Sequence, residues 1–273
     1  MRDIIRKKQD LTDLSWDEKA VTSGTGGTFL KSRSTSSRRT VYYKLSCYDS
    51  YRGIYGHESV NELIASRLLD TLSIPHVPYK LVHADVFING VCYETWLSES
   101  CDYRVPGERR QPFDGFYELY REENESPLDF AIRRGWATEI QQMMAFDYLI
   151  ANRDRHGANF EVIYRNGNVE FSPLFDHGLS LIYSCYENEE AARSFDSGKD
   201  IQTNNFIGTR SLEENLRFLP RGLFTDAINF EDAVHSVFND LEGILPQAHR
   251  EKIEEMLFLR WGHLVNLGLV GRD

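Results

Sequence analysis

Three polar residues have the types and the spacing that could do chemistry in this chain. Asp154 is followed five residues later by Asn159, and Asp176 stands a further seventeen residues along, two positions before Gly178. A carboxylate can accept a proton from a hydroxyl group, and amide and carboxylate oxygens are ligands that suit Mg²⁺. Asp-x₄-Asn followed by Asp-x-Gly is the spacing by which phosphoryl-transfer enzymes handle a hydroxyl and magnesium-bound ATP. We therefore predict Asp154 and Asn159 as catalytic residues, and Asn159 and Asp176 as metal ligands.

A helix and a hairpin are expected to position these residues. Residues 138–151 carry an apolar pattern typical of a helix, which leads into the polar run at 152–159. Strand-like residues on both sides of Asn166-Gly167 then predict a hairpin. Because a hairpin brings its two ends together, Asn159 and Asp176 are predicted to share one metal ion.

A glycine-rich run near the N-terminus, Gly24-Thr25-Gly26-Gly27, is the expected phosphate-binding loop. Glycines let the backbone approach a ligand and turn its N–H groups toward phosphate oxygens. A simple hairpin turn would use the same residues, and the run is neither a Walker A loop nor a complete Gly-x-Gly-x-x-Gly fingerprint. Residues 31–40 are basic and serine-rich, and we expect them to form an exposed, mobile loop.

A lysine and a glutamate follow in positions that suit ATP binding. Lys44 lies among strand-forming residues, from where it can reach the α- and β-phosphates, although a solvated strand lysine would look the same. Glu62 lies on a helix predicted over 57–73, on a side that looks partly buried. A buried carboxylate needs a cationic partner, and Lys44 is the expected one. Glu58 is the rival, but its first-turn position also suits the helix dipole.

The fold class predicted from these elements is α+β with two lobes. A small β-rich lobe with one helix is expected over 1–100, and a mostly α-helical lobe over 101–273. A hairpin over 80–98 is expected to end the sheet, and residues 97–101, among them Leu97 and Ser98, would contact the adenine base.

The remaining segments have weaker patterns. Residues 1–22 are polar and are expected to lie over the surface, and 102–126 form an expected connector with one short helix. Residues 184–208 lack a period and are interpreted as a flexible segment over the cleft. Residues 211–269 are predicted to be helical.

Composition limits the class of protein. The 273 residues carry 31 basic and 42 acidic side chains, a net charge of −11 that argues against direct nucleic-acid binding. No apolar run is long enough to span a membrane, and the N-terminus lacks the apolar core of a secretion signal. The four cysteines show no zinc-like spacing and are expected to be reduced thiols of a cytoplasmic protein.

Other chemistries fit the residues less well. His156 and His177 have no third ligand at metal spacing for a zinc site, and no Gly-x-Ser-x-Gly elbow indicates a serine hydrolase. Two alternatives stay open: a small-molecule or lipid kinase of the same architecture, and a nucleotide-sensing binding module without turnover.

The run Asn152-Arg153-Asp154-Arg155-His156-x-x-Asn159, followed by Phe175-Asp176-x-Gly178, resembles the signature of the HipA-like serine/threonine kinases. Asn61-Glu62, with a helix that ends at Ile74-Pro75, resembles the αC region of that family. The resemblance covers about residues 20–270. It implies a protein-kinase-like fold and a protein serine/threonine kinase that uses ATP and Mg²⁺. Asp154 would then be the base, Asn159 and Asp176 the metal ligands, Lys44 the phosphate-binding lysine and Glu62 its partner.

The same resemblance implies regulation and partners. Several members autophosphorylate in or near the glycine-rich loop, where the hydroxyls here belong to Thr22, Ser23, Thr25 and Thr28. The substrate would be a protein with a Ser or Thr hydroxyl. Members act as toxins countered by an antitoxin, and full-length members carry an additional N-terminal subdomain. A separate antitoxin and a small protein like that subdomain are therefore the candidate partners.

Overall fold

A six-stranded sheet forms the N-terminal part of the fold. The computed structural model describes residues 3–16, 28–35, 40–225 and 228–271. The strands, in chain order, are β1 (Ile4–Asp10), β2 (Thr28–Thr35), β3 (Thr40–Asp49), β4 (Gly53–Tyr55), β5 (Tyr79–Ile88) and β6 (Val91–Cys101). Their order in the sheet is β1-β5-β6-β3-β2, with β4 paired to β3. β1 runs parallel to β5 and the other pairs are antiparallel. The predicted hairpin at Asn89-Gly90 is confirmed as β5–β6.

Helix α1 (Glu58–Thr71) packs against β3, β5 and β6. Its apolar stripe, which includes Val60, Ile64 and Leu68, is buried. Glu62 is buried as well, with no exposed surface, so both sides of this helix are covered as the sequence predicts. The helix therefore holds a carboxylate directly beneath the sheet.

The C-terminal part is mostly helical and carries a second, small sheet. Its helices are α2 (Phe113–Tyr120), α3 (Pro127–Arg133), α4 (Ala137–Leu149), α5 (Glu189–Ser194), α6 (Leu212–Asn215), α7 (Phe230–Val237) and α8 (Gln247–Asn266). The small sheet has the order β7-β8-β9, from β7 (Arg109–Pro112), β8 (Glu161–Arg165) and β9 (Asn168–Phe171). The fold class is α+β, as predicted. Helix α4 and hairpin β8–β9 confirm the two elements expected to flank the polar run.

One apolar core joins the two parts of the molecule. Residues of α1 such as Leu68 belong to the same buried cluster as Met143 of α4 and Leu264 of α8. Arg67 of α1 also donates hydrogen bonds of 2.6 and 2.8 Å to the carbonyl groups of Val237 and Asn239. Because α1 is packed from both sides, Glu62 keeps a defined position relative to the C-terminal helices.

The expectation of an exposed loop over 31–40 is wrong for the residues that the structure describes. Strand β2 continues to Thr35 and β3 begins at Thr40, while 36–39 lie outside the described residues. In β2 the buried Leu30 and Ser32 alternate with the more exposed Lys31 and Arg33. This is the pattern of a strand with one buried face, and its polar content suits its place at the edge of the sheet.

Two more segments differ from their predicted form. Residues 3–10, expected to lie over the surface, supply β1, which gains its backbone partners from β5. In the segment expected to be flexible, residues 184–208, helix α5 forms, and Ile201, Thr203 and Ile207 are buried. Both results depend on long-range contacts, which a local pattern does not reveal. Within the described ranges, no helix has the length and apolar character needed to cross a membrane.

Candidate active site

Lys44 is the centre of a buried ionic cluster. Its Nζ lies 3.0 Å from Glu62 Oε1 and also contacts Asp176 Oδ1. The side chains of Lys44, Glu62 and Asp176 are 13%, 0% and 15% exposed. Burial alone would lower the pKa of Lys44, but the charges of Asp176 and Glu62 outweigh burial and raise that pKa above its ordinary value. The predicted contact between Lys44 and Glu62 is therefore formed, and the lysine is a permanent cation.

The sheet and α1 hold Lys44 by its backbone. The carbonyl of Lys44 accepts hydrogen bonds from the hydroxyl groups of Ser59, on α1, and Ser98, on β6, each at 3.3 Å. The ring of Phe29, on β2, lies 5.1 Å from Lys44 Nζ and adds a cation–π contact. Three elements thus fix the direction in which this side chain points.

Asp176 is held in an uncommon backbone conformation. Its φ is +60°, a region that non-glycine residues rarely adopt, and its N–H donates to Tyr79 Oη at 3.2 Å. A Cβ on Gly178 would lie 3.3 Å from both Glu62 Oε1 and Lys44 Nζ. The glycine two residues after Asp176 is thus needed for close packing on the ionic cluster.

Lys31 is a site residue that sequence reasoning missed. Its Nζ lies 3.3 Å from Asp176 Oδ2, so each carboxylate oxygen of Asp176 faces an ammonium group. Burial alone would raise the pKa of Asp176, but Lys31 and Lys44 together hold it well below its usual range. Residues 31–40 contain no apolar side chain, which led to the loop prediction. Because side chains alternate between the two faces of a strand, Lys31 is expected on the same face as Phe29 and opposite to Leu30.

Arg155 joins the two predicted metal ligands. Its Nη1 donates to the carbonyl of Asn159 at 2.8 Å and to that of Phe175, which precedes Asp176, at 2.9 Å. Its Nε and Nη2 pair with Asp147, and neither side chain of this pair is exposed. The backbone carbonyls of Asn159 and of Phe175, the residue before Asp176, are thus bonded to one buried guanidinium group at the base of hairpin β8–β9.

Asp154 lies on the same network. The side chain of Asn159 donates from Nδ2 to the carbonyl of Asp154 at 2.7 Å, and the N–H of Asp154 donates to Asn152 Oδ1 at 3.2 Å. The residue is 7% exposed. Its carboxylate Oδ1 accepts a hydrogen bond of 3.4 Å from Asn204 Nδ2, and Oδ2 lies 3.7 Å from His156 Nε2. Asp154 is therefore connected to Lys44 through Asn159, Arg155 and the segment Phe175-Asp176.

An open cavity of about 210 Å³ adjoins the ionic cluster. Charged side chains of Lys31, Lys44 and Asp176 line it together with aromatic and polar groups. The full lining is Lys31, Tyr42, Tyr43, Lys44, Val77, Tyr79, Ser100, Cys101, Asp102, Tyr103, Arg110, Phe175 and Asp176. The cavity thus offers cations beside a largely aromatic wall.

Several predicted site residues lie elsewhere. Leu97 is buried in an apolar cluster of the sheet, and Ser98 bonds to the backbone of Lys44, so neither lines the cavity. Strand β6 continues to Cys101, and Ser100 and Cys101, which fall within the expected range 97–101, line the cavity. Glu62, Asp154 and Asn159 are not among the lining residues either. The predicted loop residues Gly24, Thr25, Gly26 and Gly27, the hydroxyls of Thr22 and Ser23, and the side chain of Thr28 fall outside the described residues.

The donor set fits a magnesium ion. Asn159 uses its Nδ2 group toward Asp154, which leaves the amide oxygen for a cation, and Asp176 is a carboxylate that Lys31 and Lys44 keep ionised. No cluster of three His, Cys, Asp or Glu side chains suited to a metal occurs in the described part of the chain. Mg²⁺ commonly takes one or two protein oxygens and completes its shell with water and phosphates, so two ligands are enough.

His177 occupies an apolar position. It is 1% exposed, neither ring nitrogen has a hydrogen-bond partner among the described residues, and its ring meets that of Phe146 edge to face at 5.6 Å. Burial lowers the pKa of His177 well below its usual value, so the ring is neutral. The backbone N–H of His177 donates to Glu62 Oε2 at 2.8 Å. The residue therefore links Glu62 to the backbone beside Asp176 and packs as an aromatic ring.

Comparison with solved structures places this fold among kinases. The chain is similar to the proinflammatory kinase CtkA of Helicobacter pylori, with a TM-score of 0.63, 14% identity, and coverage of 96% of this chain and 97% of CtkA. It is also similar to HipA of Shewanella oneidensis MR-1, from a complex with HipB and operator DNA. In that case the TM-score is 0.51 at 15% identity, and the match covers 92% of this chain and 67% of HipA. No protein-family model and no curated protein sequence matches the chain. The chain therefore has a HipA-like kinase fold.

Proposed function

We propose that this chain, with its HipA-like kinase fold, is a phosphotransferase that uses Mg²⁺ and ATP to phosphorylate a Ser or Thr hydroxyl of a protein. The observation that carries the proposal is the position of Lys44, which lines the cavity and contacts Glu62 and Asp176. A lysine–glutamate pair beside a metal-binding aspartate is the arrangement that protein kinases need for transfer.

Each residue has a definite task in this proposal. Lys44 would hold the α- and β-phosphates, and Glu62 would keep Lys44 extended. Asp154 would accept the proton of the attacking hydroxyl. Mg²⁺, held by Asn159 and Asp176, would neutralise charge that develops on the phosphates. The buried Arg155 keeps the backbone of Asn159 and Phe175 together, so the two ligand positions do not depend on the metal for their spacing.

The identity of the acceptor and of the partners belongs to the same proposal. Autophosphorylation at Thr22, Ser23, Thr25 or Thr28, a toxin role, and a separate antitoxin or small subdomain-like partner are all part of it. Incubation with labelled ATP and Mg²⁺, followed by mass spectrometry, tests the transfer activity and the autophosphorylation. Labelled protein supports a protein kinase, whereas turnover with label only on a small molecule or lipid favours the alternative acceptor. Binding without turnover would favour a nucleotide sensor.

Replacement of Asp176 by asparagine should remove the magnesium-dependent part of nucleotide binding. At a nucleotide concentration of about 100 times its Kd, the parent gains ~2.7 kcal/mol of stability from Mg·ATP. The variant loses the anionic ligand, so Mg²⁺ should add little to the stabilisation by ATP. Thermal unfolding with ATP, with and without Mg²⁺, measures the difference. Parental Mg·ATP shifts in Asp176→Asn would contradict the metal assignment.

Replacement of Lys31 by methionine should weaken metal-free ATP binding about ten-fold, because the cavity loses one charge-assisted hydrogen bond to a phosphate. Binding of adenosine should not change, since adenosine carries no phosphate. Fluorescence titration in the presence of a chelator measures both. Lys80→Met is the matched control, since Lys80 is 36% exposed against 37% for Lys31 and pairs with Glu99 outside the cavity lining. Equal losses in the two variants would exclude a local role for Lys31.

A further inference from the structure

Asn204 reaches Asp154 from a distant part of the chain. Its side-chain amide donates from Nδ2 to Asp154 Oδ1 at 3.4 Å, across a separation of fifty residues. Asn204 is exposed, whereas Asp154 is buried. The amide therefore covers one oxygen of the proposed base from the solvent side.

Backbone contacts hold the segment 203–206, which contains Asn204, against the polar run. The N–H of Asn204 donates to the carbonyl of Arg153 at 2.7 Å, and the N–H of Phe206 donates to that of Arg155 at 3.1 Å. The ring of Phe206 packs edge to face on that of Tyr117, with centroids 5.7 Å apart. Because these contacts hold residues 204 and 206 on either side of Asp154, the Asn204 amide has a defined place beside the carboxylate.

The two oxygens of Asp154 have different surroundings. Oδ1 accepts the Asn204 amide, while Oδ2 lies 3.7 Å from His156 Nε2, beyond hydrogen-bond distance. His156 Nδ1 accepts the N–H of Ala158 at 3.2 Å, which orients the ring. Within the described residues, Oδ2 is thus the oxygen left without a hydrogen bond. A neutral donor on Oδ1 fixes the carboxylate plane without cancelling the charge that a base needs.

We infer that Asn204 is a positioning residue for phosphoryl transfer, which holds Asp154 so that Oδ2 faces the acceptor hydroxyl. The inference rests on the proposed function. In the step concerned, the acceptor oxygen forms a bond to the γ-phosphorus, the bond from that phosphorus to the β,γ-bridging oxygen breaks, and ADP leaves. The acceptor proton passes to Asp154 Oδ2. Asn204 touches none of the reacting atoms and acts through Asp154 alone.

The test compares Asn204→Leu, which removes the donor, with Asn204→Gln, which keeps an amide. Loss of one hydrogen bond to a charged group should lower kcat about ten-fold in Asn204→Leu, with the Kd for Mg·ATP and the unfolding temperature unchanged. Asn204→Gln should recover part of the rate. The control is Gln202→Leu, which removes an exposed amide two residues away and should keep the parental rate.

A second measurement does not depend on turnover. In protein labelled with ¹⁵N-asparagine, the side-chain amide resonance of Asn204 should move when Asp154 is replaced by alanine, while that of Asn188 should not. If Asn204→Leu transfers phosphate at the parental rate, the positioning role is overturned but the proposed function is not. An unmoved Asn204 resonance would also overturn it. A parent without any transfer would instead overturn the proposed function.

Discussion

Asp154→Asn should lower the rate of phosphoryl transfer by about 10²- to 10⁴-fold, the usual contribution of a general base. Asparagine has nearly the same shape as aspartate and can still accept the hydrogen bond from Asn204, but it cannot take up the hydroxyl proton. Asp154 does not line the cavity, so the Kd for Mg·ATP should stay within about two-fold of the parental value. Single-turnover transfer and equilibrium nucleotide titration separate the two effects.

Asp70→Asn is the control for this substitution. The side chain of Asp70 is 75% exposed, lies on α1 and takes no part in the network around Asp154. Its removal should leave both transfer and nucleotide binding at parental values. A transfer rate for Asp154→Asn that equals that of Asp70→Asn would show that Asp154 is not the base.

Lys44→Met should lower the free energy of unfolding by ~3–5 kcal/mol, the cost of leaving a buried charge without its partner. Glu62 has no exposed surface, and in the variant it keeps only neutral donors such as the N–H of His177. Asp176 keeps Lys31 and is less affected. Nucleotide binding should also fall, because the cavity loses its most buried cation. Chemical denaturation measures the stability, and nucleotide titration the binding.

The loss of stability in Lys44→Met should depend on pH. Burial raises the pKa of Glu62 above its ordinary value, although Lys44 opposes this shift. Without Lys44 that pKa rises further, so the folded state binds a proton more tightly than the unfolded state does. The variant is then least destabilised below the unfolded pKa of glutamate and loses stability as the pH rises through the folded pKa. Denaturation at acidic and at neutral pH should show this sign.

Two variants make the stability prediction specific. Lys80→Met removes a lysine that is 36% exposed and paired with Glu99, and it should cost no more than ~1 kcal/mol. Adding Glu62→Gln to Lys44→Met removes the unpaired charge and should restore part of the lost stability. If Lys44→Met were as stable as Lys80→Met, the cluster would not be the buried ionic centre described above.

Local patterns predict much of the frame around the candidate site. Helix α4 and the hairpin β8–β9 follow from apolar periodicity and an Asn-Gly turn, and these two patterns are enough to place Asn159 and Asp176 at one hairpin. The pairing of Lys44 with Glu62 follows from the cost of burying a lone carboxylate on α1. Such features depend on neighbours in the chain or on the chemistry of a single side chain.

Other features depend on contacts between distant residues. Four such contacts join segments that are far apart in the chain or lie on different elements. They are the pairing of β1 with β5, the contact of Lys31 with Asp176, the hydrogen bond from Arg155 to the carbonyl of Phe175, and the hydrogen bond from Asn204 to Asp154. Of the residues 97–101 expected near adenine, Ser100 and Cys101 line the cavity while Leu97 and Ser98 do not, because β3 and β5 extend β6 to Cys101. Backbone and side-chain groups take such partners only when the whole chain has folded.

The sequence by itself therefore determined the residue types and local elements of the site. Tertiary packing alone decided which charged groups contact Asp176 and which oxygen of Asp154 is left without a hydrogen bond. Both depend on distances between residues that are far apart in the sequence.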